Sequence, residues 1–276
     1  MERTFKEQCI RLRRQDKSIG EIVKITGRPK SSVYTHIHNI PLSATKLARV
    51  QAAAIARIKK YPAARKGKSV RHFSKFNTWS ADEVLLVAHL LFDGEIGRAC
   101  IYNNRSEALI GRVERLMGKW YEYPPKRLKN QKTGVWRISY YNVALAIYLR
   151  QKADELLRTI SHASLEQKKA FLTAFFDDEG CMDFRPKEKR RQVRGYQKDL
   201  KILRIVRTLL LDLGIESRLT MPNEVVVRGR ENLAKFEKEI GFSPGVSVNG
   251  NRSNSRWKKH IEKRKLLRMA IESYQG

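Results

Sequence analysis

The chain has 276 residues, enough to bury a sizeable core and to form about two domains. Its 57 Lys and Arg against 28 Asp and Glu leave a formal charge of +29, a self-repelling field most simply explained by a polyanionic partner whose phosphates shed counterions. Cys9, Cys100 and Cys181 lie far apart with no CxxC pair, which argues against a disulfide framework or a structural zinc site. No apolar run is long enough to span a bilayer and the N-terminal stretch lacks a signal-peptide core, so the expectation is an intracellular, cytoplasmic protein with no membrane partner.

In chain order, residues 4 to 38 read as three short helices. Phe5, Cys9, Ile10 and Leu12 stripe the first, and Ser18 caps a second holding Ile19, Ile22, Val23 and Ile25. Gly27 starts a tight connection, and Ser31 is placed to cap the third. This spacing resembles a helix-turn-helix of the resolvase type, which implies that Lys30, Ser31, Ser32, Tyr34, Thr35 and His36 face DNA. From Ser43 to Lys60 an alanine-rich basic helix is expected to stop before Pro62. The polybasic stretch after it reads as a mobile tether containing the domain boundary. The expected division is a helix-turn-helix domain over 1–43, a basic helix and linker over 44–78, a first repeat over 79–160 and a second over 161–276.

Two stretches carry the repetition, Ser80 to Glu95 (SADEVLLVAHLLFDGE) and Ser164 to Gly180 (SLEQKKAFLTAFFDDEG). Each opens with a capping box, Ser80 with Glu83 and Ser164 with Gln167, continues as an apolar helix and ends in an acidic pair. The spacing from serine to glutamate is fifteen residues in both. Such internal repetition points to two copies of one unit. After Glu95, GRACIYNN reads as one strand, SEALIGRVERLMGKW as a helix, YEYPP and GVWRISYY as a hairpin with the basic tip KRLKNQKTG, and NVALAIYLRQKADELL as a closing helix. The second copy follows the plan with strands CMDFR and RQVRGYQ around PKEKR, a helix from Asp199, strands ESRLTM and EVVVRG, and a helix ENLAKFEKEIGF. A basic helix closes the chain. The class is α+β, with helices packed on one face of antiparallel strands. With only about ten residues between Glu95 and the next helix, against about twenty in the second copy, the first hairpin is expected to be truncated.

LTAFFDDEG (172–180), and less closely AHLLFDGEI (88–96), resemble the motif of the LAGLIDADG homing endonuclease family in its single-chain, two-repeat form. The resemblance spans roughly residues 79 to 270. It implies two helices packed about a pseudo-two-fold axis that bring their terminal acids together to share Mg2+ or another divalent cation. By motif position, Glu95 and Glu179 become the metal ligands and catalytic acids, and Asp93 and Asp177 structural acids of the motif. Arg137, Arg228, Lys198 and Lys201 are nominated as basic catalytic residues from charge and approximate location.

Double-stranded DNA is expected across the two sheets. The candidate contacts are Arg98, Tyr102, Asn103, Lys126, Arg127, Lys129 and Lys132 in the first repeat, and Arg185, Lys187, Lys189, Arg190, Arg191, Arg194, Tyr196 and Gln197 in the second. The functional expectation is a monomeric, metal-dependent endonuclease cutting one phosphodiester in each strand. The alternatives are a non-cutting DNA-binding regulator on the same fold and an intron-RNA splicing helper.

Overall fold

The computed structural model describes residues 4–65 (side chains to 57), 71–248, 257 and 260–274. The chain divides into two compact units, Met1–Val70 and Arg71–Gly276.

In the first unit, α1 (Phe5–Arg14) starts at a Thr4–Glu7 capping box and α2 (Ile19–Thr26) at a Ser18–Glu21 box. Gly27 ends α2 in the left-handed region, φ 66°. The third helix, α3 (Lys30–Ile37), begins at Pro29 rather than at a Ser31 cap. Proline's extended backbone, ψ 145°, already supplies the non-helical entry, and Ser31 falls inside the first turn. Cys9, Leu12, Ile22, Val33 and Ile37 form a small core. A fourth helix, α4 (Ala44–Arg65), is tied to the trio where Ser43 N–H donates to Asp16 (2.7 Å) and Lys46 Nζ to Glu21 (2.9 Å). It runs through Pro62 to Arg65, beyond the stop expected before the proline. The expected tether lies in part outside the described residues. From Phe73 onward it is no tether: Phe76 is buried, its N–H donating to Tyr148 Oη at 2.8 Å, and Trp79 Nε1 donates to Glu155 at 2.8 Å.

The second unit holds two repeats. The first runs α5 (Ala81–Phe92), β1 (Gly94–Ile96), β2 (Cys100–Asn104), α6 (Glu107–Gly118), β3 (Lys126–Lys129), β4 (Trp136–Tyr140) and α7 (Val143–Thr159). The second runs α8 (Leu165–Glu179), β5 (Gly180–Arg185), β6 (Arg190–Tyr196), α9 (Leu200–Asp212), β7 (Ser217–Thr220), β8 (Glu224–Arg228) and α10 (Arg230–Glu239), followed by α11 (Lys263–Glu272). Each repeat makes a four-stranded antiparallel sheet of the same topology, β1-β2-β4-β3 and β5-β6-β8-β7. Helices cover the inner face of each sheet, giving the α+β class.

Two details of the first repeat differ from the sequence reading. Its first hairpin is complete, because the residues after α5 themselves form β1 and a short Gly97–Ala99 turn suffices. KRLK is strand β3, not a hairpin tip, and pairs with β4 from Lys126↔Ser139 to Lys129↔Trp136.

The core centres on α5 and α8, which pack against one another. Phe171, Phe175 and Phe176 are fully buried, each worth roughly 1.5–3 kcal/mol of transfer free energy. Phe92 stands edge-on to Phe171 and Phe175, with centroids 5.3 and 5.2 Å away.

Candidate active site

The ends of α5 and α8 are placed in register by two glycines. A Cβ on Gly94 would lie 2.1 Å from the Leu90 carbonyl oxygen, and one on Gly180 2.3 Å from that of Phe176, so each strand leaves its helix directly over the carbonyl four residues back. Only glycine fits such an approach. Gly94 and Gly180 are therefore equivalent, and so are the residues before them, Asp93 and Glu179. The matching first-copy stretch is LVAHLLFDG (86–94), which keeps small Ala88 and the terminal glycine and has Leu91 where the second copy has Asp177.

Glu95 is thereby displaced from the centre. It lies exposed on β1 opposite Ile101, and strand alternation turns it to the face away from the helices. Asp93, expected to be structural, takes the inner position. Asn104 Nδ2 donates to its Oδ2 at 2.7 Å, and its carboxyl is pushed up to about 7 by burial first, then by the negative charges of Asp178 and Glu179. Glu179 is also pushed up to about 7, by burial and then by Asp178, with Lys263 opposing. Asp177 is buried and accepts from Ser243 N–H (2.9 Å) and from Arg112 of the first repeat (2.9 Å).

Four residues of this centre went unnoticed in the sequence. Asp178 accepts from Tyr102 Oη at 2.6 Å and from Asn104 Nδ2 at 3.3 Å, while its other oxygen faces His89 Nδ1 at 2.8 Å. His89 is a polar residue inside an otherwise apolar helix run, a signal open to sequence reading; Asp178, between Asp177 and Glu179, stands out by no such contrast. Lys263, the first residue of α11, is buried and donates to the carbonyls of Asp177 (2.8 Å) and Phe176 (3.4 Å), capping α8. Burial lowers its ammonium pKa, against the charges of Asp177, Asp178 and Asp93 among others. Lys263 lies 84 positions beyond Glu179, and no local pattern marks it.

The nominated basic residues lie elsewhere. Arg137 is exposed on β4, facing away from the helices, and Lys198 and Lys201 are exposed at the start of α9. Arg228 is on the outer face of β8, where its Nε donates to Gln192 at 2.7 Å. Burial lowers its guanidinium pKa first, followed by the crowding of Arg218, Arg190 and Arg194.

Strand alternation sorts the other candidates. Asn103 and Lys126 share the outer face of the first sheet with Arg137, and Arg98 and Lys132 are exposed in its loops. Tyr102 is buried on the inner face against Asp178. Arg127 and Lys129 share that inner side, stacking on Trp136 at 4.5 and 4.7 Å, and Arg127 pairs with Glu107 at 2.9 Å. In the second sheet Arg185, Arg190, Arg194 and Tyr196 face outward, and Arg194 pairs with Glu224. Lys187 and Lys189 are exposed in the connecting turn. Arg191 points inward, donating to Ser273 Oγ at 2.6 Å and lying over the Tyr274 ring, so it anchors the end of α11. Gln197 follows β6, its Oε1 accepting from Lys198 N–H at 2.8 Å. In the first unit Lys30, Ser31, Ser32, Tyr34 and Thr35 are exposed on α3, and His36 meets the Phe5 ring edge-on at 5.4 Å.

Among the described residues no group of three or more His, Cys, Asp or Glu is arranged to hold a metal ion, and no helix is long and apolar enough to cross a membrane.

Fold and site together define a two-repeat α+β protein with one acidic residue delivered at the end of each of two packed helices. Residues 166–241 match the family described as a LAGLIDADG-like domain. The match lies within the second repeat, which thus carries a LAGLIDADG-like domain. It is 36% identical over 89 residues to a probable translation initiation factor IF-2 from Pyrococcus horikoshii, an alignment that covers 32% of this chain and 8% of that much longer protein. Among solved structures it is similar to the homing endonuclease I-DmoI in complex with DNA and Mn, with TM-score 0.44 and 16% identity over 58% of this chain and 96% of that one. It is also similar to full-length DUF199/WhiA from Thermatoga maritima, with TM-score 0.44 and 15% identity over 62% of this chain and 60% of that one.

Proposed function

We propose that the chain binds double-stranded DNA at specific sites and hydrolyses one phosphodiester in each strand, using a divalent cation held between Asp93 and Glu179. The observation that carries the reading is the meeting of these two carboxyls at the ends of α5 and α8, each pushed up to about 7. Crowded acids of this kind are relieved by a cation.

The donor set fits a hard cation that takes only part of its shell from protein. Two carboxylates are hard oxygen ligands, and Asp93 and Glu179 would therefore hold Mg2+ in preference to zinc, which favours nitrogen and sulfur. Such a cation, when bound, lowers the pKa of a water and offsets charge on the phosphate. The chain's own part is to hold the acids. Asn104 orients Asp93, and Lys263 fixes the end of α8 from which Glu179 projects. The outer faces of the sheets supply the DNA surface. Arg190, Arg194, Arg218 and Arg228 crowd one another on the second sheet, and a phosphate would relieve their repulsion. Both acids come from one chain, so a monomer suffices. The three-helix unit, with Lys30, Ser31, Ser32, Tyr34, Thr35 and His36 on α3, is read as a second DNA contact of helix-turn-helix type.

Incubating the purified full-length protein with DNA flanking its own gene, with and without Mg2+, tests this. Linear product is expected with the cation only. It is lost in Asp93→Asn and Glu179→Gln and kept in Glu95→Gln. Tight binding without cleavage under any divalent ion would overturn the nuclease reading in favour of a regulator, and preference for intron RNA over duplex DNA would do so in favour of a splicing helper.

A further inference from the structure

The equivalence of Gly94 and Gly180 sets the two repeats 86 residues apart at this point, and the same offset matches His89 with Phe175 and Phe92 with Asp178. The two sides of the α5–α8 interface are then chemically unlike. On one side Phe92 and Phe175 meet edge to face at 5.2 Å. On the other the corresponding positions hold His89 and Asp178, 2.8 Å apart, with both side chains fully buried. The strand positions opposite the two glycines differ in step, Tyr102 facing Gly94 and Gly195 facing Gly180. Tyr102 adds a hydroxyl to the polar side, while a Cβ at Gly195 would lie 2.3 Å from Phe175 Cε1, so glycine there makes room for the ring.

A carboxylate can only accept, so His89 Nδ1 is the donor to Asp178. His89 Nε2 has no hydrogen-bond partner among the described residues. A buried pair of this kind is seldom more stabilising than well-packed apolar side chains, and the opposite side of the same interface shows that alternative in place. What sets the polar side apart is its reach. Asn104 Nδ2 lies 3.3 Å from Asp178 Oδ1 and 2.7 Å from Asp93 Oδ2 and so links the buried pair to one acid. Glu179 has no such hydrogen bond among the described residues.

We propose that Asp178 and His89 are positioning residues for Asp93 alone, acting through Asn104, so that the two acids are held by different means and the two DNA strands are cut at separately adjustable rates. The inference rests on the nuclease reading above. Asp178 is supplied by the second repeat and Asp93 by the first, which makes the alignment of one acid depend on the packing of the two repeats.

The test is strand-resolved cleavage of an end-labelled duplex by the full-length protein with Mg2+. Asp93→Asn and Glu179→Gln assign each strand to its acid. Asp178→Asn keeps the side-chain volume but puts a neutral amide oxygen where Tyr102 and Asn104 now donate to a carboxylate, so the charge-assisted hydrogen bonds that hold Asn104 are weakened. It is expected to slow the Asp93-dependent strand about 10- to 100-fold, the range seen when supporting partners of a metal-site residue are removed, and to change the Glu179-dependent strand far less, through the loss of Asp178's charge beside Glu179 alone. The ratio of rates is insensitive to partial unfolding, because an unfolded molecule cuts neither strand. Equal slowing of both strands, or of neither, overturns the proposal. If Asp178→Asn does not fold, Asn104→Ala breaks the same link and is read in the same way. A crystal structure of whichever variant folds gives a readout free of cleavage: Asp93 is expected to turn away from its present place while Glu179 stays, and Asp93 unmoved overturns the proposal. A wild-type protein that cuts neither strand would end the nuclease reading, and the crystal structure would then decide the positioning role by itself.

Discussion

Replacing Asp93 by Asn should stabilise the cation-free protein at pH 8 and leave it unchanged below about pH 4. In the folded chain the Asp93 carboxyl is pushed from 3.8 to about 7. A shift of roughly three units at 1.36 kcal/mol each is about 4 kcal/mol, an upper bound, since Glu179 is coupled to it and their costs do not add. The folded state therefore holds a proton that the unfolded state has lost between pH 3.8 and about 7. Stability is full below that window and falls as pH rises through it. Asparagine carries no charge at any pH and can still accept from Asn104, so it escapes the loss. The assay is urea unfolding in chelator from pH 4 to pH 9, followed by tryptophan fluorescence. All four tryptophans lie beyond residue 70, so the signal reports the two-repeat unit. Wild-type stability should decline toward pH 8, the Asn variant should decline less, and Mg2+ should restore the wild type preferentially. Superimposable pH profiles, or an equal gain from Glu95→Gln, would refute the reasoning.

Lys263→Met matches the side chain's length but leaves the carbonyls of Asp177 and Phe176 uncapped. It should cost about 1–3 kcal/mol and, because Lys263 opposes the rise of both acids, extend the pH-dependent loss to higher pH without moving its start, both readable in the same unfolding series. Gly94→Ala should cost about 3 kcal/mol or more because its Cβ meets backbone, whereas Gly27→Ala, with open space and only a left-handed φ, should cost about 1 kcal/mol; thermal unfolding of each variant compares them. Lys30→Ala should reduce the slope of log affinity against log salt by about one if that ammonium meets a phosphate, and a slope unchanged in fluorescence anisotropy titrations would remove Lys30 from the DNA surface.

Much of the architecture was legible in the chain alone. The capping boxes at Ser80 and Ser164, the apolar runs behind them and the alternating strands are local signals, set by backbone donors and side-chain period within a few residues. They placed α5, α8 and most strands within a residue or two, and the repeat of the pattern supplied the family resemblance. The register of the first acid was not legible in the same way. The sequence offers both Asp93 and Glu95, and matching their distance from the capping serine favours Glu95. Helix α5 is 12 residues long and α8 is 15, so equal spacing from the caps does not mean equivalence at the ends. The close approach of Gly94 to Leu90 and of Gly180 to Phe176 decides it, because steric contact across a turn is a property of the folded backbone.

Amino-acid pattern by itself determined the class, the two repeats, the basic charge and the place of Glu179 at the end of α8. Tertiary structure alone decided that Asp93 is its partner and that Glu95 faces away, that Arg191 and Tyr102 turn inward, and that His89, Asp178, Asn104 and Lys263 surround the acids. Those four come from α5 and β2 of the first repeat, α8 of the second and α11 beyond it. Burial and like-charge crowding, which push Asp93 and Glu179 up to about 7, arise only when such elements close on one another, because neither dielectric nor distance is written in local sequence.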